Sequence, residues 1–312
     1  MHELTSTLFQ EPWWLDAVAP GSWDAIEVEQ GGSVTARLPY VIERRRALTR
    51  ISMPPLTQVL GPWLRPSEAK YAKRLGAEKD LLTELFDRLP PYDELELRFH
   101  HSVTNWLPLY WRGFEQTTRY TYVLDDIRDA GAIWSGAVDS VRRSIRKATG
   151  RSRLAVRSDG DIERFLDLHA QTFERQSLAL PYPRAIVRRI DAAASARDAR
   201  RIFFALDPSG QIAAALFLVW DERAAYYLMS GTDPAFRSSG ALALLMFEAI
   251  RFAGTVSRSF DFEGSMIEPI ERVFRGFGAR QVPYFEVRHL RTRRARIVRG
   301  AQTLVRALRG KA

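Results

Sequence analysis

Between residues 260 and 263, Phe260 and Phe262 alternate with Asp261 and Glu263, the period-two pattern of a strand with one apolar and one acidic face. Gly264 and Ser265 interrupt it. Ile270, Val273, Phe274 and Phe277 then recur at helical spacing before Gly278, a residue suited to ending a helix. Residues 281–290 return to strand patterning. The predicted unit is strand, short helix, strand, with two carboxylates at the end of its first strand. Open sheets bind ligands beyond the carboxyl ends of their strands, so chemistry is expected there.

The same pattern occurs earlier. Leu97-Arg98-Phe99-His100 parallels Phe260-Asp261-Phe262-Glu263, and Arg112-Gly113-Phe114 parallels Arg275-Gly276-Phe277, both at an offset of 163 residues. A second correspondence joins the stretch from Gly32 to Ile42 with that from Gly210 to Trp220 at an offset of 178. A duplicated mixed α/β domain follows from these pairs. The first copy carries Arg98 and His100 where the second carries Asp261 and Glu263, so the second is expected to be the working copy.

The remaining pattern fills in both copies. Residues 9–18 and 68–89 are predicted helical, 26–44 a hairpin turning at Gly31 and Gly32, and 53–63 an irregular or edge segment because of its prolines. Arg44, Arg45 and Arg46 read as a solvated loop. Residues 95–99, 106–114 and 120–124 give the first strand, helix and closing strand. A single helix over 130–149 then joins the copies. In the second copy, 154–157 is a strand and a helix runs from an N-cap at Asp159 to 175. A helix over 185–199 precedes a hairpin of 201–206 and 212–220 over Asp207 to Gly210. A strand over 224–230, a loop over 231–240 and an apolar helix over 241–252 complete it. The fold class is mixed α/β (α+β), two tandem domains with central mixed sheets flanked by helices. Their expected bounds are 1–128 and 151–290, with a connecting helix at 129–150 and a tail at 291–312.

Length and composition sharpen this. A chain of 312 residues suits two domains, and 46% hydrophobic residues suffice for real cores. The absence of cysteine excludes thiol nucleophiles, thiolate metal sites and disulfides. No apolar run approaches a membrane span and residues 1–10 lack a signal peptide's pattern, so the expected location is cytoplasmic. The net charge of +9 belongs to the end of the chain: residues 288–312 hold nine Arg and Lys and no acid. An RNA-binding reading would rest on that tail alone, which lacks aromatics for base stacking.

Several positions are candidates for chemistry. Arg237-Ser238-Ser239-Gly240 lies between a strand and a helix, where backbone N–H groups can hold a phosphate; an ordinary turn with a surface arginine is the alternative. Ser230 and Gly231 end a strand and suit either a splayed edge for an extended ligand or a plain turn. Asp261 and Glu263 lie two apart on one strand face, roughly 7 Å at 3.3 Å per residue, where one could accept a proton from an attacking amine. A salt bridge of either to Arg275 or Arg280 is the competing use. Arg142 to Lys147 reads as a solvated helix face. His100 and His101 point opposite ways on a strand and make a poor metal pair. No Walker, GxGxxG or HExxH motif is present, and no metal is expected.

The order strand, Arg-x-x-Gly turn, apolar helix, strand, short helix, strand resembles the GNAT acyltransferase fold. Duplication of that fold is similar to the FemAB-like GNAT proteins and their Fem peptidyltransferase relatives. The matching words are Phe9-Gln10-Glu11-Pro12-Trp13-Trp14, Arg142-Arg143-Ser144-Ile145-Arg146-Lys147, Thr172-Phe173-Glu174-Arg175-Gln176 and Ser230-Gly231-Thr232. Asp261-Phe262-Glu263-Gly264-Ser265-Met266 and Phe274-Arg275-Gly276-Phe277-Gly278 complete the set. The resemblance extends to about Leu290. It implies transfer of an acyl or aminoacyl group, from acyl-CoA such as acetyl-CoA or alternatively aminoacyl-tRNA, to an amine of a cell-envelope or polysaccharide precursor. Arg237 and Gly240 match the family's donor-phosphate turn, whereas Leu242 replaces its last small residue. The long helical arm that some Fem proteins use for tRNA is absent from this sequence. Within that resemblance, Ser230, Gly231, Arg237, Ser238, Ser239, Gly240 and Arg275 are expected to bind the donor. Glu263, or else Asp261, would take the proton, Tyr284 would donate to the leaving group, and Glu174, Arg175 and Gln176 would face the acceptor. Without cysteine, direct attack by the amine is expected rather than a covalent enzyme intermediate. The alternative function is an inactive GNAT-fold binding or assembly protein of envelope or exopolysaccharide synthesis.

From Ile297, the apolar residues Val298, Ala301, Leu304, Val305 and Leu308 fall on one helical stripe, flanked by Arg294, Arg299, Arg306 and Arg309. Such a helix can lie on an anionic membrane surface, in keeping with a lipid-linked amine acceptor and a peripheral place on the inner face. Docking on the protein's own core is the alternative, and Gly300 weakens the helix in either case.

Overall fold

The computed structural model of the protein describes residues 4–45, 48–158, 160–174 and 179–309, the stretch 302–309 by its backbone alone. In chain order it forms α1 (Pro12–Val18), β1 (Trp23–Gln30), β2 (Ser33–Arg45), β3 (Leu48–Ile51), β4 (Trp63–Leu64), α2 (Tyr71–Asp87) and β5 (Glu94–Arg98). There follow α3 (Leu107–Tyr110), β6 (Glu115–Leu124), α4 (Ala130–Gly136), α5 (Asp139–Thr149), β7 (Ala155–Arg157), α6 (Ile162–Glu174) and α7 (Arg184–Ser195). The chain ends with β8 (Arg200–Leu206), β9 (Ile212–Trp220), β10 (Ala224–Thr232), α8 (Ala241–Ala253), β11 (Ser259–Asp261), α9 (Glu268–Gly276), β12 (Arg280–Leu290) and α10 (Arg293–Arg309). It divides into two compact units, Met1–Arg119 with Tyr284–Ala312, and Tyr120–Pro283.

Each unit holds a mixed sheet, and the two repeat one pairing rule. In the first, β3 and β5 are parallel, and β5 then pairs antiparallel with the second half of β12, Arg98 opposite Glu286. In the second, β10 and β11 are parallel, and β11 pairs antiparallel with the second half of β6, Asp261 opposite Val123. Arg98 and Asp261 thus occupy equivalent places, 163 residues apart. The closing strands are exchanged: β12 from the end of the chain completes the first unit, and β6 from the end of the first copy completes the second. The second unit adds the antiparallel strands β7, β8, β9 and β10, and β9 is buried almost throughout. Its core gathers Tyr122, Leu245, Ala249, Phe260, Phe262, Phe274 and Phe277, with Phe262 stacked on Phe274 at 5.0 Å.

Several expectations need correction. Residues 130–149 form two helices, not one. Ala137 and Val138 are extended, and the Val138 N–H bonds the Gly276 carbonyl at the end of α9 at 2.9 Å, a use of the backbone that a continuous helix would forbid. Asp161 caps α6, its Oδ1 accepting from the N–H groups of Glu163 and Arg164 at 3.0 Å each; Asp159 lies outside the described residues. Arg44 and Arg45 extend β2 rather than forming a loop, and Arg46 lies outside the described residues. The Arg-Gly-Phe words also mark two different backbones. Gly113 has φ +78° just before β6, whereas the φ +83° residue before β12 is Gly278. Gly276 instead lies inside the nine-residue α9, where an added Cβ would come within 3.0 Å of Val141.

At the tail, Thr292 Oγ1 donates to Asp93 at 2.8 Å, Ala295 is buried and Arg299 pairs with Glu94 at 3.5 Å. Ile297 is 64% exposed, and Val298 lies on the same outward side. Leu304, Val305 and Leu308 have no described side chains. No described helix is long and apolar enough to cross a membrane.

Candidate active site

The second unit builds its site where β10 outlasts β11. Their pairing covers only Ala224 to Tyr226 against Ser259 to Asp261, while β10 runs on to Thr232 paired with β9 and shifts register between Tyr227 and Met229. Beyond Tyr226 the edge of β10 has lost its parallel neighbour. Gly231 sits close to α6: an added Cβ would lie 3.0 Å from the His169 Cα, so glycine there permits helix-on-strand packing. The Ser230 carbonyl accepts from His169 Nδ1 at 2.7 Å, and the Ser230 hydroxyl bonds the Tyr227 hydroxyl.

The turn ahead of α8 is set by Gly240, whose φ is +85° and whose Cβ position would fall 2.1 Å from the Ser144 carbonyl oxygen of α5. No other residue fits both conditions. Ser239 is buried, its hydroxyl donating to the Phe236 carbonyl at 2.6 Å and accepting from the Ala241 N–H at 3.2 Å. Arg237 and Ser238 are exposed beside it. The start of α8 therefore presents oriented N–H groups with an arginine near by, an arrangement able to hold an anion.

Asp261 and Glu263 do not share a strand face as expected. The strand ends at Asp261, the Phe262 N–H still reaches the Tyr122 carbonyl at 3.0 Å, and Glu263 then turns to φ +58° ahead of Gly264 at φ +67°. A left-handed non-glycine residue is uncommon and marks a backbone held by its surroundings. Here the Asp261 carboxylate holds it, accepting from the Glu263 N–H at 2.7 Å and from the Thr121 hydroxyl. Asp261 is thus committed to the turn, while Glu263 Oε1 is buried without a hydrogen-bond partner among the described residues. Burial, and then the charge of Asp261, push the Glu263 carboxyl well above the ordinary carboxylate range. The two arginines that could have neutralised this pair are engaged elsewhere: Arg275 with Glu271 at 2.8 Å, and Arg280 with Asp125 at 2.8 Å.

Two residues not singled out in the sequence complete the constellation. His169 is buried on α6, and its Nε2 lies 3.0 Å from the Tyr182 hydroxyl. Burial lowers the His169 pKa despite the Ser230 carbonyl, with the Arg184 charge adding to that fall. Tyr182 is pushed above the usual phenol range by burial and then by the charge of Glu263. Burial also raises Tyr227, to about 12. The available signal was a polar residue on the apolar stripe Phe165, His169, Phe173, which reads as core.

The other expected site residues are dispersed. Arg275 lies on the surface of α9 in its pair with Glu271. Tyr284 is buried in the first unit, bonded to Arg119. Glu174 is exposed at the end of α6; Arg175 and Gln176 lie outside the described residues. Among the described residues, no cluster of three or more His, Cys, Asp and Glu could hold a metal ion.

Comparison with known proteins bears on the fold. Residues 136–265 match the family model of the acetyltransferase (GNAT) domain. Among solved structures, FemX superposes with a TM-score of 0.64 at 14% identity, covering 89% of this chain and 91% of its own. The C-terminal domain (DUF2156) of a putative lysylphosphatidylglycerol synthetase from Agrobacterium fabrum gives 0.53 at 14% identity, covering 96% and 94%. L-PGS from Bacillus licheniformis gives 0.52 at 10% identity, covering 99% of both chains. No curated protein matches in sequence. At these identities the structural likeness is one of fold.

Proposed function

We propose that this chain is a GNAT acyltransferase of the FemAB-like type and moves an acyl group from acyl-CoA to an amine carried by a cell-envelope precursor. One observation carries this reading: where β10 parts from β11, the chain delivers Glu263, whose Oε1 is buried and has no hydrogen-bond partner among the described residues. The names of two fold relatives, a lysylphosphatidylglycerol synthetase domain and L-PGS, favour a lipid-linked acceptor. The donor's acyl arm would lie along the free edge of β10, its phosphates at Arg237 and the start of α8.

In the reaction the amine nitrogen attacks the thioester carbonyl, a C–N bond forms and the C–S bond breaks. Glu263 takes the proton that the nitrogen sheds, and coenzyme A leaves as thiolate. A carboxylate whose proton affinity is raised by burial is a stronger acceptor than an ordinary one. Asp261 contributes by holding Glu263 in its left-handed turn. The chain has no cysteine to form a thioester intermediate, in keeping with direct attack by the amine.

Because the protein has no cysteine, a thiol reagent reads released coenzyme A without background. Purified protein incubated with acetyl-CoA and a lipid-linked primary amine should release thiol in step with product mass. Release with charged tRNA instead would move the donor assignment, and turnover with neither would leave the inactive binding protein as the better account. The exposed side of α10, with Ile297 and Val298, would rest on an anionic membrane. Full-length protein should co-sediment with phosphatidylglycerol vesicles at low salt and a chain truncated after Arg291 should not; equal binding would remove the tail from that role.

A further inference from the structure

The first unit has a cleft of its own, 280 Å³ in volume, where β12 ends and α10 begins. Glu115, Arg288, His289, Arg291 and Arg296 line it. Its cations are of two kinds. Arg288 is committed, to Glu286 at 2.6 Å and Glu96 at 3.1 Å. Arg291 and Arg296 are exposed and form no ion pair among the described residues. The buried Tyr92 anchors two of the lining residues at once. The Arg291 guanidinium lies over its ring at 5.5 Å, and its hydroxyl bonds His289 Nδ1 at 2.8 Å. The His289 ring also stacks on Phe114 at 4.3 Å, so the imidazole is held from two sides. Its Nε2 has no partner among the described residues. The neutral ring offers a hydrogen there when Tyr92 donates to Nδ1, and the charged ring offers one in every case. Burial, and then the charges of Arg291 and Arg296, lower the His289 pKa.

Glu115 is the one acid among the lining residues, against three arginines and a histidine. The acids behind them are already engaged: Glu96 and Glu286 hold Arg288, and the Asp93 carboxylate accepts from the Thr49 N–H and the Thr292 hydroxyl, each at 2.8 Å. A cleft with that imbalance concentrates anions, and guanidinium forks beside an imidazole N–H match the oxygens of a phosphate. The neighbouring surface narrows the ligand. Ile297 follows Arg296 directly and is 64% exposed, and Val298 is exposed beside it. A phosphate that carries apolar chains uses both features, whereas a soluble phosphate uses only the cations. We propose that this cleft holds the phosphate of an anionic lipid headgroup, with Arg291, Arg296 and His289 as donors and the acyl chains passing Ile297 and Val298. This rests on the membrane placement of α10 proposed above and gives the tail a defined contact in place of diffuse attraction. One phosphate on exposed arginines should bind only on the order of 1 mM from solution. The cleft therefore fills where headgroups are crowded, at a membrane surface.

The first test uses inorganic phosphate as the probe. It is titrated into the full-length protein at constant ionic strength while NMR follows the His289 ring, identified by the signal lost in His289→Gln. The ring resonances should shift and saturate with phosphate, and chloride should not reproduce the shift. Arg291→Gln and Arg296→Gln should each weaken phosphate roughly 10-fold, the scale of one charge-assisted contact. Arg293→Gln removes the same charge outside the cleft and should leave phosphate binding nearly unchanged, because exposed charges at a distance are screened. All three arginines are exposed, so these variants keep the fold. A His289 ring that does not saturate, or that answers chloride equally, overturns the proposal.

The second test separates a headgroup from a soluble phosphate. Co-sedimentation with phosphatidylglycerol vesicles compares Arg296→Gln with Arg293→Gln, two losses of one charge from the same helix. Arg296→Gln should cost roughly 10-fold more vesicle affinity than Arg293→Gln, and phosphate that saturates His289 should compete with the vesicles at fixed ionic strength. Equal losses in the two variants would mean diffuse attraction alone and overturn the proposal. If phosphate saturates His289 while the vesicles neither compete with it nor distinguish the variants, the cleft serves a soluble phosphate and the lipid assignment falls. Wild-type protein that ignores the vesicles overturns the membrane placement of α10 instead, and with it the headgroup, while the phosphate titration still decides whether the cleft binds an anion.

Discussion

The two units each place a glutamate beside the strand that carries the repeat, Glu286 buried whole and Glu263 with one carboxylate oxygen buried, and they treat it in opposite ways. In the first, Glu286 is 1% exposed and accepts from Arg98 at 2.9 Å, Arg119 at 3.2 Å and Arg288 at 2.6 Å. Burial alone would raise its pKa, but the hydrogen bond and charge of Arg98, with Arg288 and Arg119, bring it below the ordinary range. In the second, the place equivalent to Arg98 is Asp261, a second negative charge, and Glu263 has no described cation beside it. One architecture thus yields a satisfied ion cluster in one copy and, in the other, a carboxylate oxygen with no partner among the described residues. A buried group left without its partner weakens a fold, and such groups persist where chemistry uses them.

The largest effect should come from removing the unsatisfied group. Glu263→Gln keeps the shape and removes the basicity, so turnover should fall by about 100- to 10,000-fold while donor affinity holds. Steady-state kinetics and calorimetry on one preparation check both halves of that statement. Survival of activity would pass the proton to water or to the substrate itself.

The mirror experiment sits in the first unit. Glu286→Gln leaves three guanidinium groups around a neutral amide, and stability should drop by about 3 kcal/mol, the low end for breaking a buried pair because the arginines are partly exposed. Urea unfolding measures it. Turnover per folded molecule should be unchanged, and a large loss of kcat would put the first unit in the chemistry.

The two carboxyls also give stability opposite pH slopes. Glu263 has its pKa raised on folding, so its contribution is complete below the unfolded value near 4.5 and is lost as pH rises through the folded one. Glu286 has its pKa lowered, so its contribution is complete above the unfolded value and is lost as pH falls through the folded one. Each slope is at most about 1.4 kcal/mol per pH unit for one proton. Relative to wild type, Glu263→Gln should therefore be more stable on the alkaline side, and Glu286→Gln should lose its disadvantage in acid. Unfolding midpoints measured across pH read both.

Much of this contrast was legible in the residues. The alternation of Phe260 to Glu263, its echo at Leu97 to His100 and the missing acids of the first copy locate the repeat and single out the second. The exchange of closing strands was not legible, because β6 and β12 look alike locally and their partners lie more than a hundred residues away. Local pattern likewise ran 130–149 as one helix, since nothing near Val138 announces its bond to Gly276. At the site, Glu263 was visible but its left-handed backbone was not, because Asp261 sets it by a hydrogen bond and not by propensity. His169 stayed hidden as one polar residue on an apolar helix face. Its meaning comes from the Ser230 carbonyl, 61 residues away in sequence.

The central claim is that the donor meets only the second unit. Hydrogen exchange of the full-length protein, with and without coenzyme A, tests it most directly. The account predicts slowed exchange of amides from Ser230 through the first turn of α8, with the amides of β5 and the second half of β12 unchanged. Protection in the first unit, or none around Gly240 at saturating coenzyme A, would contradict it.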